Sequence, residues 1–221
     1  MNSVSGFESP PAVRGPPGLL LVGQYDSPFT RRVGITLHEY SFDYARDTHS
    51  VYSEPDAVRA LSPMTRIPAL IVDGRHTLVD SSAIVDHLDE LVGREHALAP
   101  AQGMARMEVL QLCAMSISIT EKIAQIGYER QFHAPEHRSD YWERRSLAQI
   151  TAGLAQLETA VGNGWLHRFG FSHADVMAGC MLTFLDDRLR RDIPLRDYPR
   201  LSSLRTWCES RASFRLTPLE K

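Results

Sequence analysis

Cysteine is scarce in this 221-residue chain: the 3 present are Cys113, Cys180 and Cys208, and no two form a C-x-x-C pair. That spacing excludes a zinc knuckle and a dithiol redox centre. Each cysteine falls among apolar residues at helical spacing, which fits a reduced core thiol in a cytoplasmic protein. Long apolar runs are also missing, and none approaches the ~18 residues of a membrane span. Positive charge is not in excess: 24 Lys and Arg against 27 Asp and Glu give a net charge of -3. The field that non-specific nucleic-acid binding needs is therefore absent. The dense arginines between 186 and 205 are diluted by four aspartates and read as a solvated mixed face. Residues 1–17 hold four prolines and no apolar stretch, so they read as a mobile tail and not a secretory signal. What remains is an ordinary globular composition, 43% hydrophobic and 23% charged, long enough for one large or two small domains.

The patterning divides the chain. Leu19-Leu20-Leu21-Val22 between two glycines reads as a buried strand, and the spacing predicts a helix from 28 to about 40. Residues 42–46 alternate as a second strand, and 56–61 form a short helix. Ala69-Leu70-Ile71-Val72, Asp73-Gly74 and Thr77-Leu78-Val79 make a hairpin signal. A helix follows over about 81–92, ended by Gly93. The first unit, 18–93, is thus β-α-β-α-β-β-α. A linker spans 94–102, and beyond it strand signals stop. Met107, Leu110, Ala114 and Ile117 share a helical face, and Leu147, Ile150, Leu154, Leu157 and Val161 form an amphipathic stripe. The second unit, 103–221, is all helix.

Three motifs in the first unit could carry chemistry. Ser27-Pro28 places a serine at a helix cap with proline in the first turn, where free N–H groups and the helix dipole stabilise an anion. Arg66-Ile67-Pro68 leads into a strand, and read alone Pro68 is a trans proline opening it. In Asp80-Ser81, Ser81 is the natural cap of the next helix, a place for a carboxylate, and Asp80 can receive an ammonium. Tyr25 is the second candidate hydroxyl beside Ser27. Arg31 and Arg32 read as surface arginines. The His133-Ala134-Pro135-Glu136-His137 run formally matches H-x-x-E-H, but Pro135 breaks the helix that metal pattern needs. It reads as a polar loop, and no metal site is expected.

Taken together, Ser27-Pro28-Phe29-x-x-Arg32-Val33, Ile67-Pro68-Ala69-Leu70, Asp80-Ser81-x-Ala83-Ile84-x-x-x-Leu88 and Ser172-His173-Ala174-Asp175 resemble, in order, the signature segments of the soluble glutathione transferases. Tyr198-Pro199-Arg200-Leu201 and Arg211-Ala212-Ser213-Phe214 are similar to the family's C-terminal signature, and His87 replaces a usual tyrosine. The likeness runs from Gly18 to about Pro218 and is to the serine type of bacterial and tau-like members.

The resemblance implies a thioredoxin-like first domain, an all-α second domain, a homodimer, and a cytoplasmic transferase that takes glutathione as co-substrate. It implies that Pro68 is cis. Ser27 would contact the sulfur, the Ile67 backbone the cysteinyl unit, and Asp80 with Ser81 the γ-glutamyl end. Arg66, His49 and Thr65 stand near the glycyl end, and Tyr25, Phe29 and Tyr128 are candidates for the electrophile pocket. Asp175 would close a capping box. Serine at 27, in place of cysteine, favours conjugation or isomerisation over disulfide chemistry. Tyr25-Asp26-Ser27-Pro28 lacks the zeta-type S-S-C-S run, which counts against a maleylacetoacetate isomerase. A glutathione-dependent isomerase or dehalogenase, and a non-catalytic binding protein, are the alternatives.

Overall fold

The computed structural model describes residues 18–220; the tail expected over 1–17 lies outside them. Four strands, β1 (Leu19–Val22), β2 (Ala45–Asp47), β3 (Ala69–Val72) and β4 (His76–Val79), form one sheet in the order β2-β1-β3-β4. β1 and β2 are parallel, and such a pair needs a crossover, which α1 (Pro28–Glu39) supplies. β3 runs antiparallel to β1 and to β4. Asp73 (φ 52°) and Gly74 (φ 64°), both left-handed, are the central residues of a turn closed by the Arg75 N–H on the Val72 carbonyl at 3.1 Å, within the three-residue β3–β4 loop. α2 (Pro55–Leu61) precedes β3, and α3 (Ser81–Val92) follows β4. The chain is a thioredoxin-like sheet domain followed by a helical domain.

β2 starts later than the alternation at 42–46 predicts. The Phe42 N–H donates to the Leu37 carbonyl at 2.9 Å, closing the end of α1, and the ring is buried in the first core. Parallel pairing then begins at Ala45, opposite Leu20.

The helical domain comprises α4 (Gly103–Phe132), α5 (Asp140–Ala160), α6 (His173–Arg188), α7 (Pro199–Ser210) and α8 (Ala212–Leu216). α6 is its axis, with every residue from His173 to Leu185 buried. The three cysteines are buried and unpaired. The α4 stripe of Met107, Leu110, Ala114 and Ile117 does not as a whole face this core: Met107 is 55% and Leu110 44% exposed, Ala114 is exposed, and only Ile117 packs against it. The buried stripe is Val109, Cys113, Ser116, Thr120 and Ile123. α4 carries apolar residues on two faces, and periodicity alone does not say which one is covered. The His133–His137 stretch follows the end of α4 as an exposed loop with a single 3-10 turn at Pro135–His137.

The capping box at the start of α6 is complete. Asp175 accepts the Leu166 N–H at 2.8 Å and both the N–H and the hydroxyl of Ser172 at 2.9 Å. Asp175 is 0% exposed, so alanine there leaves two buried amides without partners. We expect Asp175→Ala to cost about 2–3 kcal/mol and to lower the melting temperature. An unchanged melting curve contradicts this.

Candidate active site

Ser27 is the N-cap of α1, with extended backbone (φ -76°, ψ 117°) and Pro28 in the first turn. Its Oγ accepts the Thr30 N–H at 3.4 Å. That bond uses an oxygen lone pair and leaves the hydroxyl proton able to donate to a neighbour. An anion beside Ser27 would meet that proton and the positive end of a 12-residue helix.

The second motif lies against the first. The Ile67–Pro68 peptide is cis, as the resemblance implies and against the reading of Pro68 alone. Ladder pairing of Val22 with Ala69 sets Ile67 beside the turn after β1. The approach is so close that a Cβ on Gly23 (φ +129°) would lie 2.9 Å from Ile67 Cβ.

The third motif joins the first through Arg32. Its guanidinium lies 3.3 Å from the hydroxyls of both Ser81 and Ser82, at the start of α3. Asp80, not Ser81, is the N-cap of α3: it has φ 72° and accepts the Ser82 N–H at 2.8 Å. Ser81 is the first helical residue and is buried, whereas Asp80 is exposed at the surface. The turn has moved the cap back by one position, since aspartate tolerates left-handed backbone and bonds its own amide two residues on.

Neither first-helix arginine is at the surface. Arg32 is 3% exposed. Arg31 is 2% exposed and bonds Glu209 on α7 through two parallel 2.8 Å bonds, with a third, from Nε, to the Thr217 carbonyl at 2.7 Å. Charges are buried when they are paired, and these partners lie nearly the whole chain away in sequence.

Tyr25 does not reach the site. Its ring is buried in the core of the first domain, against Gly34 and under the Arg46 guanidinium at 3.6 Å. Its hydroxyl pairs with that of Tyr44 at 2.7 Å. Burial, then the Tyr44 bond, push its pKa far above the usual phenol value. Tyr25 is thus neither a pocket wall nor a thiol activator. If glutathione binds with its sulfur at Ser27, as the resemblance implies, Tyr25→Phe should keep the thiolate pKa within about 0.3 units of wild type, because no group at Ser27 changes. A loss of the thiolate in that variant restores Tyr25 as a candidate.

The remaining candidates divide. Phe29 is half-buried against the helical core. Tyr128 is exposed near the end of α4 and packs on Phe132, which packs on Tyr52 of the first domain at 5.6 Å between ring centres. This aromatic wall crosses from one domain to the other. Burial and the neighbouring Tyr128 push the Tyr52 hydroxyl up, and the Asp26 charge adds to the shift. Asp26, next to Ser27, keeps a buried oxygen without a hydrogen-bond partner. Burial pushes its carboxyl up, Arg188 at the end of α6 pulls it down, and Glu220 adds to the rise. Of the loop residues, Arg66 is exposed, and the His49 ring is held 2.6 Å from Asp47, which raises its pKa.

Sequence reasoning missed Tyr52, Asp26 and Glu220, and it took Arg32, quoted within the Ser27 motif, for a surface arginine. A separate cavity of about 740 Å³ lies between the outer face of α4 and the loop after α5, lined by Met107, Leu112, Trp165 and Phe169 among others. It contains none of the motif residues. Among the described residues no group of His, Cys, Asp and Glu is arranged to hold a metal, and no helix is long and apolar enough to cross a membrane.

Known proteins are similar to this chain. Residues 21–96 match the glutathione S-transferase N-terminal domain. The chain is 25% identical to the GST-like protein YibF of Escherichia coli over 199 residues, covering 89% of this chain and 96% of that one. It is 23% identical to the probable maleylacetoacetate isomerase 1 of Drosophila melanogaster over 204 residues, 90% of this chain and 80% of that one. A crystal structure of a glutathione transferase family member from Pseudomonas fluorescens, with bound S-(propanoic acid)-glutathione, is 30% identical, has a TM-score of 0.76, and aligns over 90% of this chain and 98% of that one. With the three motifs assembled on a thioredoxin-like domain and a relative of this similarity matched along nearly its whole length, the chain belongs to the glutathione S-transferase family.

Proposed function

We propose that this protein is a serine-type glutathione transferase that binds glutathione along the first domain and adds its sulfur to a small hydrophobic electrophile. The observation that carries the reading is Ser27 Oγ at the cap of α1, with its proton uncommitted to Thr30, in a turn that abuts Ile67 and the cis Pro68. By family likeness, the Ile67 backbone pairs with the cysteinyl unit, and Asp80 with Ser81 receives the γ-glutamyl end. Arg32 holds the Ser81 hydroxyl in place from below. Arg66 stands nearest in sequence to the glycyl end.

The chemistry required is modest. A free thiol with a pKa of about 8.5 is only a few per cent thiolate at neutral pH, and each unit of lowering is worth about 1.4 kcal/mol. A hydroxyl donor and a helix N-terminus together supply one to two units. The thiol proton leaves to solvent, the S–C bond forms as the electrophile's bond breaks, and the shared cleft supplies proximity. Tyr52, Tyr128 and Phe132 give that cleft an apolar wall. The exposed Met104, Met107 and Leu110 on α4 fit a homodimer contact, since exposed apolar patches mark association surfaces.

The likeness to a probable maleylacetoacetate isomerase supports a second reading, in which glutathione adds, the substrate isomerises, and the thiol is released. Free thiol followed during turnover of aryl halides, activated alkenes and cis-configured unsaturated acids separates the two. Stoichiometric loss of thiol is expected for the transferase, and product formed at constant thiol for the isomerase. Glutathione binding with no turnover of any of them favours a non-catalytic member.

A further inference from the structure

The segment after α8 runs back to the turn that carries Ser27. Thr217 is buried and pinned by Arg31, and Glu220 reaches the first domain. The Glu220 carboxylate accepts the Tyr25 N–H at 2.7 Å and two Arg46 N–H bonds at 2.9 and 3.0 Å. Arg46 is itself preset for this geometry. Its guanidinium carbon lies over the Tyr25 ring, 3.6 Å from the centroid, and the group donates to the Gly23 carbonyl at 3.2 Å. A stacked guanidinium with a paired fork and a converging amide is a preorganised carboxylate receptor. It needs nothing from Glu220 beyond a carboxylate.

Its place matters as much as its chemistry. The Tyr25 N–H lies two residues before Ser27, and the Gly23 carbonyl that Arg46 holds belongs to the glycine that abuts Ile67, so the receptor adjoins the turn that carries Ser27. Glu220 is about one-third exposed and sits on a stretch with no helix or strand of its own, held at this end by the receptor alone among its described side-chain bonds.

We propose that Arg46 and the Tyr25 N–H form a carboxylate subsite at the rim of the electrophile cleft, and that Glu220 is its resident occupant, displaced when the second substrate or its conjugate carries a carboxylate. This rests on the reading that glutathione binds with its sulfur at Ser27. It names the class of electrophile, a small unsaturated or halogenated acid, and gives the segment 217–220 the role of a competing internal ligand.

The test compares S-(carboxyalkyl)glutathione with S-alkylglutathione of equal chain length, by calorimetric binding to wild type, Glu220→Ala, Glu220→Gln and the double variant Glu220→Ala with Arg46→Gln. With the internal carboxylate removed, the carboxylated ligand should bind about tenfold tighter. The alkyl ligand should stay within twofold. Glu220→Gln should show a smaller gain in the same direction, and the double variant none. Equal changes for both ligands, or no change for either, overturn the subsite and leave Glu220 a clamp on the turn. Failure of wild type to bind either ligand, or glutathione itself, overturns the glutathione reading and this proposal with it.

Discussion

Asp89→Ala unfolds more readily than wild type by about 3–5 kcal/mol, because removing this buried carboxylate leaves two buried donors without their acceptor, at about 1–3 kcal/mol each. Asp89 on α3 is 2% exposed and accepts the hydroxyl of Tyr40, the C-cap of α1. His173 of α6 sits with Nε2 at 2.6 Å from the same oxygen. The Tyr40 hydroxyl oxygen accepts the Leu98 N–H of the linker at 2.8 Å, and His173 N–H donates to the Leu98 carbonyl at 3.2 Å. One carboxylate thus ties α1, α3, the linker and α6, and with them the two domains. For a chain of this size the loss corresponds to a fall of roughly 10 °C in melting temperature. A fall of under two degrees contradicts the role.

The same cluster sets a pH dependence. His173 Nε2 is committed to Asp89, and Nδ1 is buried without a partner. A second proton would place an unpaired charged N–H in the core, so burial, against the pull of Asp89, lowers the His173 pKa below the ordinary imidazole value. The unfolded chain takes up that proton first, near pH 6.5. Below that pH it binds more protons than the folded chain, so stability falls as the solution is acidified. The His173→Gln variant, starting from a lower melting temperature, should show a shallower fall between pH 7 and 5.5. An equal slope in both proteins assigns the acid sensitivity elsewhere.

The second large effect is on chemistry. Ser27→Ala removes the one side-chain donor at the cap of α1 and leaves the helix terminus. Loss of a single donor to a developing or formed anion typically costs 10²–10³ in rate. Because the helix end remains, we expect kcat/KM for conjugation to drop about 100-fold, with the affinity for glutathione within about threefold. Ser27→Thr should recover part of the rate, since the hydroxyl and the cap survive. A variant that keeps over half of the wild-type rate places activation elsewhere.

How far the sequence reaches is visible in particular residues. β1 and α3 match their expected bounds because glycines, caps and short apolar runs are local signals. Ser27 was legible as a cap for the same reason. Asp80 was displaced by one position because either residue of an Asp-Ser pair can cap, and only the backbone angle at Asp80 decides between them. Arg31 and Arg32 escaped because a buried arginine is recognised by its partner. For Arg31 the partners are Glu209 and Thr217, 178 and 186 residues away, and for Arg32 they are Ser81 and Ser82, 49 and 50 away. Tyr25 lies close to Ser27 in sequence, but the turn sends its ring into the core and only the backbone past the site. Tyr128 was a candidate pocket residue from the resemblance, but its link through Phe132 to Tyr52 and the Glu220 contact join parts of the chain that no periodicity relates.

The measurement closest to the central claim is the ultraviolet thiolate absorbance of glutathione bound to the protein, titrated against pH, in wild type and Ser27→Ala. Wild type should show the band at neutral pH, with the thiol pKa one to two units below the free value of about 8.5. Ser27→Ala should shift the pKa most of the way back while glutathione still binds. The same low pKa in both proteins would contradict activation by Ser27.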